Sequence, residues 1–259
     1  MTGRTPRTVR LLGLDFADLD AAQAAALIAA RPAEAPFAAV VTPNADHLVR
    51  LARQPELAPL YRDAWLLLLD SRVVARLARA MGLAAPKVAP GSDLTMELLS
   101  RHLPAGERVT VIGLAARHLP ALQARLPGVE IAHFDPPHGM DTNPAAFAAA
   151  VDFARAHPAR YTMLAVGSPR QERLGAAIAA AGGATGVGLC IGASLDFVTG
   201  AVARAPVWMQ RAGIEWLHRL AQDPRRLARR YLRDDPAIVA MLLRERFSAS
   251  RAVPPAPRS

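Results

Sequence analysis

The residues of this chain best suited to chemistry are arginines near its C-terminal end. Between Arg204 and Arg246 the sequence has ten Arg and five acidic residues. Arg219, Arg226 and Arg230 are spaced so that one face of a helix can present several guanidinium groups together. Guanidinium groups bind phosphate through paired hydrogen bonds, and apolar residues are interspersed in the same region. The pattern predicts contact with a diphosphate or with anionic lipid.

A solvated helix face is the alternative for these arginines, because charged runs usually face water. Five of them lie between Arg225 and Arg233, where they repel each other unless an anion or an acid relieves the repulsion. Two tryptophans of the region, Trp208 and Trp216, are equally open to two interpretations. They either pack in a core or anchor the chain at a membrane interface.

Asp70 is the carboxylate best placed for general-base chemistry. It follows the apolar run Leu66–Leu69, which predicts a buried strand, and ligands of α/β sheets bind beyond such strand ends. Partial burial at that position would raise a carboxyl pKa and favour proton abstraction. The alternative is that Asp70 caps the helix that begins at Ser71 or Arg72.

Polar residues also follow three other predicted strands. Thr42 and Asn44 flank a proline, and both can donate and accept hydrogen bonds to sugar hydroxyls, unless they serve turn formation and helix capping. Gln171 and Glu172 start a helix after a proline, as an anion site or as an ordinary first turn. Asp196 is either a binding residue or a polar turn residue.

A parallel sheet is the element that can bring these residues together. Apolar runs alternate with helical patterns up to about Gly200, which predicts an α/β fold with a Rossmann-like, mostly parallel sheet flanked by helices. We predict a catalytic core over residues 1–200, a basic helical appendage over 201–248 and a disordered tail over 249–259. The predicted strands are Val9–Phe16, Ala38–Val41, Trp65–Leu69, Arg108–Gly113, Val129–His133, Tyr161–Val166 and Gly186–Ile191.

Composition narrows the functional class. Apolar residues make up 52% and charged residues 20% of 259 residues, which is typical of a globular protein with a sizeable core. The net charge of +9 predicts an anionic partner. A single cysteine, Cys190, excludes an internal disulfide and favours a reducing compartment. Apolar runs fall short of the roughly 18 residues of a membrane span, so we expect a cytoplasmic protein with peripheral membrane contact.

Two segments resemble metal sites but are better explained by local structure. Asp18-Leu19-Asp20 has the form of a metal-binding carboxylate pair, yet it opens an Ala-rich helix, where Asp is a common cap. His133, Asp135 and His138 are interrupted by prolines, which favours a loop; a sugar contact from His138 stays open. We therefore expect neither a metal nor another cofactor.

Three motifs together resemble the WecG/TagA/CpsF family of bacterial glycosyltransferases. They are Thr42-Pro43-Asn44, Gly167-x-Pro169-Arg170-Gln171-Glu172, and the segment from Arg204 to Tyr231. The resemblance runs from about Val9 to Arg246. It implies an inverting, metal-independent transfer of a hexose from a UDP-sugar to a polyprenyl-diphosphate-linked sugar. The expected place is the inner face of the plasma membrane, in the synthesis of surface polysaccharide.

The resemblance also implies roles for individual residues. It implies catalytic roles for Asp70 as general base and for three residues that position acceptor or donor sugar, Thr42, Asn44 and Gln171. It implies substrate binding by Asp196 at the nucleotide and by three arginines of the appendage at the diphosphate, Arg219, Arg226 and Arg229. The chain departs from many relatives at Asp70-Ser71, Gly113-Leu114 and Val88-Ala89-Pro90. The donor therefore stays open among N-acetylmannosamine, its uronic acid and glucose.

Two other classes compete with a transferase that uses a UDP-sugar, a lipid-linked acceptor and an anionic membrane surface. A nucleic-acid-binding protein would need aromatic residues among the arginines as stacking platforms, and the sequence does not place them there. A nucleotide-binding α/β protein without catalysis is the third hypothesis. The Gly-rich stretch at 182–188 precedes a strand, so it lacks the context of a dinucleotide fingerprint. A homo-oligomer is left open.

Overall fold

The protein is built around a six-stranded sheet in which all paired strands run parallel. The computed structural model describes residues 6–206, 208–209, 215–222 and 235–251. Numbered along the chain after a separate N-terminal hairpin, the strands of the sheet are β3 (Ala38–Val41), β4 (Leu66–Leu67), β5 (Arg108–Gly113), β6 (Glu130–Phe134), β7 (Tyr161–Ala165) and β8 (Val187–Cys190). Their order across the sheet is β4-β3-β8-β7-β5-β6. This confirms the predicted α/β fold.

The N-terminal hairpin corrects one prediction. The segment predicted as a single strand over Val9–Phe16 forms two antiparallel strands, β1 (Thr8–Leu11) and β2 (Leu14–Ala17), outside the main sheet. Leu12 and Gly13 connect them with φ angles of 51° and 76°. Positive φ at both central residues defines the tight turn whose twist matches paired strands. Leu at the first turn position hides this signal in the sequence.

Helices cover both faces of the sheet. They are α1 (Ala21–Ala29), α2 (Ala45–Arg53), α3 (Ala58–Arg62), α4 (Arg72–Ala80), α5 (Gly91–Arg101), α6 (Leu119–Arg125), α7 (Pro144–Ala156), α8 (Arg170–Ala181), α9 (Ser194–Thr199), α10 (Glu215–Gln222) and α11 (Asp235–Arg251). Single 3₁₀ turns occur at Pro55–Leu57, Ala116–His118 and Met140–Thr142. Asp20 caps α1 in a reciprocal bond with Gln23, as the capping interpretation predicts, and Asp18 accepts a bond from the Lys87 amide.

The core has two layers, one on each face of the sheet. Successive residues of β3 illustrate the division, since Val41 packs on one face and Val40 on the other. The first face is covered by α2, α4, α7, α8 and α11, and the second by α1, α5, α6 and α9. Burial on both faces explains why these strands are continuous apolar runs in the sequence.

The last helix, α11, packs against α2 and α4. Its side chains Ile238 and Leu242 are buried in the same cluster as those helices. Glu245 accepts a 2.8 Å hydrogen bond from the Leu12 amide, and Arg246 donates one of 2.8 Å to the Met81 carbonyl. The division into a core and an appendage stays a prediction, because residues 210–214 and 223–234 lie outside the described part.

Exposed apolar side chains recur in the C-terminal region. Trp208 and Phe247 are each 64% exposed, and Leu217 is 46% exposed. Core packing therefore does not account for Trp208; the side chain of Trp216 lies outside the described residues. Of the helices that the structure describes, none has the length and hydropathy needed to cross a membrane.

Candidate active site

Four chain segments meet around Gly91, at the carboxyl ends of β3 and β4. A Cβ added to Gly91 would lie 2.9 Å from Thr42 Oγ1, 3.7 Å from Ser194 Oγ and 3.8 Å from Asp70 Oδ2. Thr42 directly follows β3, while Ser194 begins α9 and Gly91 begins α5. The structure thus brings together two predicted site residues, Thr42 and Asp70, with two that the prediction did not include. A carboxylate beside two hydroxyls is a setting in which protons can be transferred.

Backbone hydrogen bonds on both sides of Asp70 set its position. Its amide donates to the Pro43 carbonyl at 2.9 Å, and the preceding Leu69 carbonyl accepts from the Ala89 amide at 2.9 Å. The alternative role as a helix cap goes to its neighbour, because Ser71 Oγ accepts the Val74 amide at 3.2 Å and is the cap of α4. Asp70 is half-buried at the site.

The Thr42-Pro43-Asn44 motif lies between β3 and α2. Thr42 is buried, and its hydroxyl donates to the Cys190 carbonyl at 3.2 Å, which joins the ends of β3 and β8. Asn44 caps α2, with its Oδ1 accepting the His47 amide at 3.3 Å. The capping interpretation is therefore confirmed for Asn44, and the side chain stays half-buried beside the site.

Gln171 and Glu172 are both buried in the first turn of α8. Gln171 Oε1 accepts the Gly192 amide at 2.9 Å, and Gln171 Nε2 donates to Glu172 Oε1 at 2.9 Å. The carboxamide of Gln171 is thus committed to contacts inside the protein. In the turn before α8, Gly167 has a φ of 78°, and the bond between Ser168 and Pro169 is cis.

A partly buried polar cluster surrounds Glu172; its members are Arg50, Tyr61, Ser168 and Glu172. Arg50 donates to Asp46 at 2.8 Å and to Ser168 Oγ at 3.0 Å. The Tyr61 hydroxyl lies 3.5 Å from Ser168 Oγ. Burial raises the pKa of Glu172, and the Gln171 hydrogen bond acts in the opposite direction. Burial is also the main cause that raises the pKa of Tyr61. Low dielectric surroundings thus favour the neutral forms of both groups.

His133 and Asp135, considered above as metal ligands, have structural contacts. His133 Nε2 donates to the Leu114 carbonyl at 2.8 Å, and Asp135 accepts the Ala116 amide at 3.1 Å. Both contacts hold the turn after β5, in which Leu114 has a φ of 62°. Within the described ranges, no group of three or more His, Cys, Asp and Glu side chains could hold a metal ion. His138 is exposed in this loop.

The structure describes some of the residues predicted to bind substrate and not others. Asp196 is half-buried in the first turn of α9, two residues after Ser194. Arg219 belongs to α10, but its side chain is not described, and Arg226 and Arg229 lie outside the described residues. The structure therefore neither joins these arginines to Asp70 nor separates them from it.

An ion cluster at the start of α5 was missed by the sequence analysis. Arg204 pairs with Asp93 and donates to Ser92 Oγ at 3.1 Å, and Arg72 donates to Asp93 at 3.1 Å. This cluster ties the first residues of the predicted appendage to the helix that begins at Gly91. Asp93 lies in the Gly-x-Asp-Leu segment of Gly91–Leu94, which directly follows the departure at Val88-Ala89-Pro90 and to which we had assigned no role.

A parallel sheet with polar side chains gathered beyond the ends of its strands is the arrangement of α/β nucleotide-binding enzymes. The model of the glycosyl transferase WecG/TagA/CpsF family matches residues 9–252. The chain belongs to this family and is a glycosyltransferase, and the family supports a role in the synthesis of surface polysaccharide. The resemblance inferred from the three motifs is confirmed.

Proposed function

We propose that the enzyme transfers a hexosyl group from a UDP-sugar to a polyprenyl-diphosphate-linked sugar, with inversion at the anomeric carbon and Asp70 as general base. The observation that carries this proposal is the position of Asp70 beside Thr42 and Gly91, at a strand end where its neighbour Ser71 serves as the helix cap. N-acetylmannosamine, its uronic acid and glucose are the candidate donors.

The proposed step uses one proton transfer and one substitution. An acceptor hydroxyl attacks the anomeric carbon from the face opposite UDP, and Asp70 takes the proton of that hydroxyl. The bond from the anomeric carbon to the diphosphate breaks, and UDP leaves with the bonding electrons. Thr42 and Asn44 orient the reacting sugars, and Asp196 contacts the nucleoside.

Positive charge must stabilise the departing diphosphate, and we assign this role to Arg219, Arg226 and Arg229. The appendage that carries them would act at the inner face of the plasma membrane. Exposed apolar side chains at Trp208, Leu217 and Phe247, together with the net charge of +9, support contact with an anionic surface. We propose no metal or other cofactor, since guanidinium groups can supply the charge.

Asp70→Asn is the central test of this mechanism. The amide cannot accept the proton, so we expect transfer to fall by roughly 10²- to 10⁴-fold while the fold is retained. The assay offers a panel of UDP-sugars with a short-chain polyprenyl-diphosphate sugar, and mass spectrometry detects the product. Thermal unfolding of both proteins checks the fold.

Ser71→Ala is the matched control for Asp70→Asn. It removes the cap of α4 at a cost of about 1 kcal/mol but leaves the carboxylate in place, so activity should stay near that of the wild type. Undiminished transfer by Asp70→Asn would exclude Asp70 as the base. The same assay with a chelator tests whether guanidinium groups alone stabilise the departing diphosphate. Loss of transfer on chelation would show that a divalent ion is needed.

A further inference from the structure

A chain of buried hydrogen bonds connects α8 to the loop between β8 and α9. Glu172 Oε1 accepts from Gln171 Nε2, and Gln171 Oε1 accepts from the Gly192 amide, each at 2.9 Å. Glu172 and Gln171 are each only 2% exposed. Since Gln171 has one carboxamide, the bond to Glu172 sets which of its atoms faces Gly192.

The loop held by this chain carries part of the site. Gly192 has a φ of 53° and lies two residues before Ser194, whose hydroxyl is one of the three oxygens around Gly91. The Ser194 hydroxyl donates to the Ile191 carbonyl at 2.6 Å, and that of Thr42 donates to the Cys190 carbonyl. A shift of Gly192 would therefore displace the Ser194 hydroxyl, which lies near Gly91 together with Thr42 and Asp70.

The surroundings of the second carboxyl oxygen of Glu172 favour the neutral form of this acid. Within the described residues, Glu172 Oε2 is buried without a hydrogen bond of ordinary geometry, while the Ser168 hydroxyl and the Glu172 amide lie near enough to the carboxyl to lower its pKa in part. The groups that face the carboxyl are Ser168, Tyr61, Arg50 and Cys190. Arg50 already donates to Asp46 and Ser168. An ionised carboxylate is costly in such buried surroundings, whereas a neutral carboxyl still accepts the Gln171 bond.

We propose that Glu172 is a positioning residue of the active site, which acts through Gln171 on Gly192 and thereby on Ser194 and Asp196. This inference rests on the proposed transfer reaction. It changes the role expected for Gln171, which holds the loop from inside instead of contacting a sugar directly.

Two substitutions at Glu172, made in the whole chain, distinguish its hydrogen bond to Gln171 from its filling of buried space. Glu172→Gln stays neutral and offers an oxygen to Gln171, so we expect transfer within about twofold of the wild type. Glu172→Leu fills the space but removes the acceptor, which frees the Gln171 carboxamide to rotate. We expect kcat/KM to fall by roughly 10- to 100-fold, because small misplacements of site groups have effects of that size.

Glu107→Leu is the matched control for loss of a partly buried acid. Glu107 pairs with Arg160 at 2.9 Å beside the N-terminal end of β5, at the edge opposite the site. Glu107→Leu should lower thermal stability. It should not lower transfer at a temperature where both Glu107→Leu and Glu172→Leu are folded. An equal loss of transfer in Glu107→Leu and Glu172→Leu would reduce Glu172 to a structural residue and overturn the inference.

Amide hydrogen exchange gives a readout independent of transfer. In Glu172→Leu we expect faster exchange at Gly192, Ala193 and Ser194, with wild-type rates in Glu172→Gln. Unchanged exchange in Glu172→Leu overturns the inference even if the wild type is active. If the wild type transfers no sugar from any donor while the exchange pattern appears, the proposed function fails and the positioning contact stands.

The pH dependence of stability supplies a further check on Glu172. Burial raises its pKa above the ordinary 4.5, so the folded state binds this proton more tightly than the unfolded state. The stability that Glu172 contributes is therefore fully present below the pKa of the unfolded state. It is lost as pH rises through the pKa of the folded state. Urea unfolding between about pH 5 and pH 8 should show the wild type losing stability relative to Glu172→Gln. Parallel curves would show an ionised Glu172 and contradict the neutral form.

Discussion

The candidate site depends on a glycine whose missing side chain makes room for three oxygens. Thr42 Oγ1, Ser194 Oγ and Asp70 Oδ2 all lie within 4 Å of the point where a Cβ of residue 91 would stand. Thr42 is buried, and its hydroxyl is bonded to Cys190, so it has little freedom to move aside. Gly91 thus acts at the residue scale as a spacer between the base and its neighbours.

Gly91→Ala tests this spacing. The new Cβ would approach Thr42 Oγ1 to 2.9 Å, closer than real Cβ contacts, so the threonine must shift. We expect transfer to fall by about tenfold or more, and the forced shift of the buried threonine to cost about 1–3 kcal/mol of stability. Met96→Ala, at an exposed position of α5, is the control. Wild-type transfer by Gly91→Ala would show that Thr42 needs no fixed position.

At the scale of elements, helix termini decide which polar residues are available for catalysis. Ser71 is committed to the cap of α4, whereas Asp70 precedes that cap residue and lies at the site. The last helix, α11, contributes differently, since it covers α2 and α4 and so supports the two helices that follow Thr42 and Asp70. The site therefore depends on packing by a helix distant in sequence.

Leu242→Ala measures the contribution of α11. Leu242 is fully buried, so its truncation should lower the free energy of unfolding by about 2–5 kcal/mol. Leu243→Ala is the matched control on the next position, because Leu243 is 39% exposed and should cost far less. Denaturant unfolding compares the two variants. Equal losses would mean that α11 is not packed as the structure has it.

At the scale of the whole molecule, charge is distributed unevenly along the chain. Five arginines lie between Arg225 and Arg233, in a segment outside the described residues, and exposed apolar side chains flank it at Trp208 and Phe247. Anionic lipid attracts clustered cations at about 1 kcal/mol for each one near the surface. We therefore expect the proposed membrane contact to depend on this segment more than on the remaining charge of the protein.

A charge-matched pair of variants distinguishes membrane binding by the segment between Arg225 and Arg233 from binding by overall charge. Replacing Arg225, Arg229 and Arg230 with Gln should weaken binding to vesicles of anionic lipid by roughly 10- to 100-fold, with the remainder lost at high salt. The control removes the same charge from elsewhere, by replacement of Arg101, Arg125 and Arg155. Co-sedimentation measures both. Equal weakening would assign binding to overall charge, and tight binding of duplex DNA at physiological salt would favour a nucleic-acid partner.

Much of the fold could be predicted because its signals are local. The strands of the sheet are short apolar runs, and five of the six were placed within one residue of their ends. The sixth, β4, begins one residue later and ends two residues earlier than the predicted Trp65–Leu69. The hairpin was missed because Leu12 adopts a positive φ that its residue type does not favour. Helix α9 was missed because six residues carry too little periodicity to be recognised.

The polar residues at the strand ends were predictable as a group, because parallel strands present their carboxyl ends at one edge. Their division of labour was decided by the tertiary structure alone. Gln171 is bonded to Gly192, and the side chains of Ser194 and Asp70 both lie close to Gly91. These contacts join residues far apart in sequence, so periodicity and residue type cannot specify them. Only packing of the sheet, with its helices on both faces, determines which buried polar groups satisfy one another and which are left to act on a substrate.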